Sequence, residues 1–220
     1  MLILLCGIMR SGKTLTATAI SKEYRDNNKN DKIYANYHLK LKNFIYTPFF
    51  ILPFSELHDC LIIADDFFAL KNSQALLETI VLLSGKNDIT VILTSQYYSD
   101  FIPKIRVLAN KFGFCLYLKE KDLLLVDYSH RENNERNPFD FMFEQECNLF
   151  QFEKAVETLK DLYDTKEPVK VSTDNLIIRE IINMCDNLDD IDVNVSNCFK
   201  SISKREKILN KIIKEKGIKI

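Results

Sequence analysis

The chain of 220 residues has almost no net charge, no long apolar run and no paired-cysteine motif. Its formal charge is −1 at pH 7, so binding to nucleic acid or to a membrane would need a local patch of charge. The six cysteines show no C-x-x-C spacing and several lie in apolar runs, which argues against zinc and favours a reducing compartment. The three histidines also lack metal-ligand spacing.

Long apolar segments are missing as well. The stretch at residues 2–5 is too short for a signal-peptide core, and no other segment approaches about eighteen uninterrupted apolar residues. We therefore expect an intracellular protein without stable membrane insertion.

Apolar runs and chain breakers predict an α/β fold. Strands are predicted near 2–6, 32–37, 60–64, 90–94, 112–118 and 123–128, with helices near 13–26, 73–84 and 98–110. Alternating strands and helices indicate a mainly parallel sheet. The last two strands are separated only by KEKD, which predicts an antiparallel hairpin at the sheet edge.

The chain divides into a predicted core at residues 1–138 and a small extension at 139–220. The polar run at 131–139 separates them, and after His130 we expect helices only. These helices are predicted near 150–163, 174–186 and 199–216. The acidic segment between the last two is not expected to hold a rigid element throughout.

A phosphate-binding loop pattern follows the first predicted strand. GIMRSGKT, residues 7–14, matches G-x-x-x-x-G-K-[ST] and opens a predicted helix, so its backbone N–H groups and helix dipole suit phosphates. We expect ATP contacts from Gly7, Arg10, Ser11, Gly12, Lys13 and Thr14. Lys13 would contact the β- and γ-phosphates and Thr14 would hold Mg²⁺. Arg10 is open to three interpretations, as a phosphate ligand, a contact to a neighbouring subunit or a solvated charge.

Two further apolar strands end in polar residues. CLIIADD places Asp65 to support Mg²⁺ and Asp66 to activate the attacking water, although either could instead cap a helix. TVILTSQ ends in Gln96, which could sense the γ-phosphate, or the TSQ residues could cap the next helix. Together these motifs predict a RecA-like P-loop ATPase, with the TSQ strand between the other two.

Several segments carry a resemblance to the small DNA-packaging ATPases of archaeal and membrane-containing viruses. These proteins are relatives of the FtsK and HerA translocases and of the zonula occludens toxin-like phage proteins. The segments are IYANYHLKLKNF, LIIADDFFAL, LLSGKNDITVILTSQYYSDFIPKIRVLAN and LYDTKEPV, and the likeness covers roughly residues 1–169. Asp66 stands where the family usually has Glu, and Gly85 precedes Lys86 where relatives often carry two cations.

The resemblance implies a ring homo-oligomer, with six subunits expected, that hydrolyses ATP between subunits. It implies movement of double-stranded DNA into a capsid through a capsid or portal partner, in the host cytoplasm or at the packaging vertex of the virion. A cation from the neighbouring subunit would stabilise the transition state. Arg106 is the first candidate, with Lys86 and Arg10 behind it, unless Arg106 is only a solvated helix charge.

The C-terminal segment is basic. If residues 199–216 are helical, five lysines fall on one face and apolar residues on another: Lys200, Lys204, Lys207, Lys211 and Lys214. This face could contact phosphates, dock on the acidic segment 186–192 or simply be solvated.

Three rival functions remain open from the sequence. The first is a phage assembly and export ATPase that shares the core. The second is a small-molecule kinase, for which no arginine-bearing lid is visible. The third is a nucleotide-dependent binding switch with little hydrolysis, which the Asp at position 66 favours.

Overall fold

The computed structural model describes residues 1–66, 73–85, 87–118, 123–130, 147–159, 161–163 and 173–218. Within these residues the chain forms an eight-stranded sheet flanked by helices. The strands are β1 (Leu2–Cys6), β2 (Lys32–Ala35), β3 (Phe44–Tyr46), β4 (Cys60–Ala64), β5 (Thr90–Ser95), β6 (Lys111–Leu118), β7 (Leu123–His130) and β8 (Cys147–Gln151). The helices are α1 (Lys13–Asn27), α2 (Ser73–Ser84), α3 (Pro103–Leu108), α4 (Phe152–Leu159), α5 (Asp174–Met184), α6 (Leu188–Cys198) and α7 (Ile202–Lys216).

The strand order is β3-β2-β4-β5-β1-β6-β7-β8. Strands β1 to β6 run parallel, whereas β7 pairs antiparallel with both β6 and β8. The predicted fold class, a RecA-like α/β P-loop architecture with a mainly parallel sheet, is confirmed. The prediction that the TSQ strand lies between the other two motif strands is also confirmed, because β5 lies between β4 and β1.

Both faces of the sheet are covered, which explains the continuous apolar runs in its strands. Every residue of β1 and of β4 is buried, as expected for parallel strands with helices on both sides. One face packs against Ile80 of α2, Ile105 of α3 and Phe101, which lies just before α3. The other packs against α1 through Leu15 and Ala17. The sheet is therefore a rigid support for the residues that follow the C-terminal ends of its parallel strands.

Helix α4 returns the chain across α1. It follows the edge strand β8, and its Leu159 is buried in the same cluster as Leu15 of α1. Just beyond it, Tyr163 forms an antiparallel bridge with Leu39, which follows β2 near the opposite edge. The α4 segment thus connects the two ends of the sheet over the helix that follows the phosphate loop.

Helices α5, α6 and α7 form a separate apolar cluster on the loop after β3. Ile51 of that loop is buried among their side chains. Asp190 accepts hydrogen bonds of 2.7 Å from both the backbone N–H and the hydroxyl of Ser55. Asn194 donates to the carbonyl of Leu52 at 2.8 Å. Apolar and polar contacts together fix this cluster to the sheet domain.

Two sequence predictions after residue 130 are wrong. The expectation of helices only fails because Cys147–Gln151 is a strand that pairs with β7, so the hairpin is not the edge of the sheet. The acidic segment forms α6, since Asn187 caps it by accepting the Asp190 N–H at 2.8 Å and acidic residues suit a first turn. The predicted boundary between residues 138 and 139 lies outside the described residues.

The helix predicted over 98–110 is shorter than expected. A 3₁₀ turn covers Tyr98–Asp100, and α3 begins only at Pro103. Proline restricts the preceding residue, and Ile102 is accordingly extended with a ψ of 149°. The sequence also did not predict the three-residue edge strand β3. Across the described part of the chain, no helix combines the length and the apolar character needed to cross a bilayer.

Candidate nucleotide-binding site

The phosphate loop is held in shape by two glycines. Gly7 is buried with a φ of 155°, and a Cβ there would lie 2.3 Å from Ser11 Oγ and 2.4 Å from the carbonyl oxygen of Cys115. Gly12, directly before α1, has a φ of 93°. L side chains rarely adopt such backbone angles, so these two positions need glycine for space and conformation.

The Lys13 side chain lies inside the phosphate loop and binds the loop backbone. It is buried, and Nζ donates to the carbonyl oxygens of Gly7 at 2.9 Å and Ile8 at 3.1 Å. An ammonium group has three N–H donors. Two of them fix the loop, which leaves one for a phosphate oxygen.

Ser11 supplies a buried hydroxyl without a partner. Its exposed fraction is 2%, and Oγ has no hydrogen-bond partner among the residues that the structure describes. A buried polar atom without a partner is costly, so a water or a ligand oxygen is expected to contact it. The glycine cradle, the spare Lys13 donor and this hydroxyl fit a nucleotide phosphate.

Arg10 lies on the outer side of the loop. It is exposed, with a φ of 63°, and its neighbours Ile8 and Met9 are also largely exposed. The loop therefore presents these three side chains outward. A phosphate contact from Arg10 stays a prediction.

The carboxylate of Asp65 lies between two threonine hydroxyls. Thr14 Oγ1 donates to one carboxylate oxygen at 2.7 Å, and Thr94 Oγ1 donates to the other at 2.7 Å. Three chain segments meet at this group, because Thr14 begins α1, Asp65 follows β4 and Thr94 ends β5. Hydroxyl and carboxylate oxygens are the ligands that Mg²⁺ prefers, so Thr14 and Asp65 fit the predicted metal site.

Burial raises the pKa of Asp65 above the usual carboxyl range, and the Asp66 carboxylate beside it acts in the same direction. Hydrogen bonds from Thr94 and Thr14 act the other way, as does the charge of Lys13. The two hydroxyls therefore help to keep Asp65 ionised and ready for a cation.

Asn36 fixes the backbone of Asp65. Its side-chain amide donates to the Asp65 carbonyl at 2.7 Å, and its amide oxygen accepts the Asp65 N–H at 2.9 Å. Asn36 directly follows β2, so this pair connects the ends of two neighbouring strands. Sequence reasoning missed this residue, although a polar residue directly after an apolar strand is the same signal that marked Gln96.

Asp66 has a constrained backbone. Its φ is 44°, and its N–H donates to Thr94 Oγ1 at 2.8 Å. The left-handed region is costly for most residues and is tolerated best by Gly, Asn and Asp. The side chain is partly exposed beside the metal-site candidate, where the proposed water activation would occur.

The two hydroxyl groups at the end of β5 bind two different carboxylates. Thr94 binds Asp65 rather than the next helix, whereas the Ser95 hydroxyl donates to the Asp100 carboxylate in the following turn. Asp100 also accepts the Tyr97 N–H at 3.2 Å. Gln96, which lies between Ser95 and Tyr97 in the chain, is half-buried. Its role in sensing the γ-phosphate remains a prediction.

Arg106 is placed away from these contacts. Its guanidinium carbon lies 4.9 Å from the ring centroid of Tyr98, on the α3 side of the sheet. Its Nε is buried without a hydrogen-bond partner in the described ranges. The structure does not bring Arg106 to the Asp65 cluster, and a role across a subunit interface stays a prediction. Lys86 lies outside the described residues.

Comparisons with known proteins support the fold. No family model matches the chain, and no curated protein matches it. The structure is similar to the crystal structure of the N-terminal domain of zonular occludens toxin from Neisseria meningitidis, with a TM-score of 0.53 and 14% sequence identity. The similarity covers 74% of this chain and 98% of that domain. The chain thus has the fold of a P-loop NTPase domain, which together with the loop geometry supports nucleotide and metal use in general.

Proposed function

We propose that this protein is a Mg²⁺-dependent ATPase that moves double-stranded DNA, packaging it into a viral capsid. The observation that carries the ATPase part is the Asp65 carboxylate held between Thr14 and Thr94, directly beside the phosphate loop. In P-loop NTPases, Mg²⁺ is held by the Ser or Thr of the phosphate loop and by an Asp, and Thr14 and Asp65 have this arrangement.

The residues have distinct tasks in this proposal. The loop N–H groups and Lys13 bind the phosphates, and Thr14 with Asp65 holds the metal. When bound, Mg²⁺ neutralises charge on the β- and γ-phosphate oxygens. Asp66 accepts a proton from the attacking water, and Gln96 orients that water or senses the γ-phosphate.

The DNA part rests on the resemblance of the motif segments to packaging ATPases. In that setting the protein works as a ring of identical subunits, with six expected, and contacts a capsid or portal component. Arg106 from one subunit then completes the site of the next. The place of action is the host cytoplasm or the packaging vertex.

A second candidate is a phage assembly and export ATPase. It is favoured by the likeness in fold to a zonular occludens toxin domain. The two candidates share the nucleotide chemistry and differ in whether duplex DNA stimulates hydrolysis.

A third candidate is a nucleotide-dependent switch. It is favoured by the backbone of Asp66, which is held in the left-handed region with its N–H bound to Thr94. Aspartate is one methylene shorter than glutamate, so a fixed backbone limits the reach of its carboxylate. A switch would bind nucleotide with little turnover.

Steady-state hydrolysis separates the three candidates. Purified protein is assayed over a concentration series with Mg²⁺, with and without duplex DNA, beside Lys13→Ala. Lys22→Ala is the matched control, because Lys22 lies on the same helix and pairs with Asp26 on the surface. We expect turnover that DNA raises, that Lys13→Ala abolishes and that Lys22→Ala retains.

Two other results would overturn the proposal. Hydrolysis that duplex DNA leaves unchanged at every concentration would favour the assembly and export candidate. Nucleotide binding without turnover above the Lys13→Ala background, with DNA present, would favour the switch.

A further inference from the structure

Helix α7 has two chemically different faces. Three of its apolar side chains, Ile208, Ile212 and Ile213, are buried and Leu209 is half-buried. Apart from Ile202 in the first turn, which is exposed, its apolar residues are therefore covered by α5, α6 and the loop after β3. This face holds the helix in place.

The opposite face carries three exposed lysines. Lys207, Lys211 and Lys214 follow an i, i+4, i+7 spacing, so they lie within one narrow sector of the helix surface. They span about 10 Å along the axis at 1.5 Å per residue. The result is a row of ammonium groups on a fixed helix.

Glu206 and Glu215 are exposed beside this row, but among the described residues neither forms an ion pair with it. The ion pairs of α7 are at its two ends, where Lys204 contacts Asp174 and Lys216 contacts Asp186. Among the residues that the structure describes, no ion pair involves the three central lysines. Within the described part of the chain, the ion pair between α7 and the acidic segment 186–192 is the one from Lys216 to Asp186.

We propose that the face formed by Lys207, Lys211 and Lys214 binds the sugar-phosphate backbone of duplex DNA. This inference rests on the proposed function and adds to it the surface that contacts DNA. Lysine ammonium groups bind phosphates by charge and read no sequence, which suits a motor that must move along any sequence.

The chemistry of α7 favours a duplex over other polyanionic partners. A helix lying in a membrane would need an exposed apolar face, but the apolar face here is packed inside the protein. Single strands are held mainly by stacking on aromatic side chains, and α7 contains none. Phosphates on a regular duplex surface remain the best match for a straight row of lysines.

The proposal predicts a defined salt dependence. Each phosphate contact contributes about 0.9 to the slope of log affinity against log salt, so three contacts contribute about 2.7. Between about 50 and 200 mM salt, the parent protein should lose about 40-fold more affinity than a variant without the three contacts.

The test is equilibrium binding of the full chain to a labelled duplex, followed by fluorescence anisotropy. All proteins carry Lys13→Ala, so hydrolysis plays no part. The variant K207Q/K211Q/K214Q is compared with K29Q/K40Q/K42Q, which makes the same change in charge at exposed lysines elsewhere. Replacement of the three α7 lysines by arginine should restore binding, and thermal melting confirms that each variant is folded.

We expect weaker binding and a shallower salt slope for the α7 glutamine variant alone. Equal losses in both glutamine variants, or no loss in either, would overturn the proposal. Salt-sensitive self-association that depends on the α7 lysines, without DNA binding, would also overturn it and favour a second copy of the chain as partner. Binding through α7, together with no ATP turnover by the chain that keeps Lys13, would support this inference and refute the proposed ATPase.

Discussion

The Thr94 hydroxyl connects both acids of the site, because it donates to the Asp65 carboxylate at 2.7 Å and accepts the Asp66 N–H at 2.8 Å. The residue that holds the metal-site carboxylate thus also fixes the backbone of the proposed base. A single side chain at the end of β5 therefore controls the relative position of the two carboxylates.

Thr94→Val should lower the affinity for Mg²⁺ and slow hydrolysis. Valine has a similar shape but no hydroxyl, and a hydrogen bond to a charged group is worth about 1.5–3 kcal/mol. We expect roughly a 10- to 100-fold higher Mg²⁺ requirement. The measurement is the hydrolysis rate against free Mg²⁺. Thr94→Ser keeps the hydroxyl and should restore the rate, whereas equal rates in Thr94→Val and the parent would contradict this role.

Asp65→Asn should raise thermal stability at neutral pH while abolishing metal-dependent turnover. Because the pKa of Asp65 is higher in the folded than in the unfolded chain, its protonated form favours folding, and this contribution is lost as pH rises through that interval. Asparagine does not ionise. The Tm difference between variant and parent should therefore grow as pH rises above the ordinary carboxyl range. A Tm difference that does not change with pH would contradict the prediction.

Gly7→Ala should destabilise the fold, because its Cβ would lie 2.3 Å from Ser11 Oγ and 2.4 Å from the Cys115 carbonyl oxygen. The expected cost is about 2 kcal/mol or more. Gly85→Ala is the matched control, since no atom lies within 4 Å of its Cβ position. That change should be neutral or stabilise by up to about 1 kcal/mol. Urea unfolding measures both, and equal effects would show that the loop tolerates a side chain.

Asp190→Ala should loosen the C-terminal helices from the sheet domain. The change removes the acceptor of the Ser55 backbone N–H and hydroxyl. Because Ser55 itself is exposed, water can replace part of these hydrogen bonds, and the expected cost is about 1–2 kcal/mol. Asp192→Ala removes an exposed acid from the same helix and should change stability little. Hydrogen exchange of the α6 amides provides the measurement. Unchanged protection in Asp190→Ala would show that apolar packing alone holds α6.

The sequence predicted the parts of the fold that depend on local pattern. Continuous apolar runs marked the central strands because parallel strands are buried on both faces, and glycine spacing marked the phosphate loop. Polar residues after β4 and β5 marked the site because adjacent parallel strands place their C-terminal ends together. The position of β5 between β4 and β1 was predicted by analogy with the RecA-like fold that these motifs indicate.

The remaining features depend on partners that are distant in the chain. Residues 147–151 form a strand because β7 is there to pair with them; taken alone, the apolar residues near 150 also suit a helix start. Likewise, Thr94 and Asn36 both bind Asp65, which is about thirty residues away from each of them in the chain. These contacts can be identified only when the alignment of the strands is known.

The return of α4 across α1 has a consequence for the order of folding during synthesis. The phosphate loop and α1 leave the ribosome well before α4, yet the cluster around Leu15 includes Leu159, and Leu39 is bridged by Tyr163. Nascent chains that end before residue 163 therefore lack contacts that complete this packing. The phosphate loop is therefore synthesised before the residues that complete the packing around α1, and the nucleotide site reaches its final packing only after residue 163 has left the ribosome.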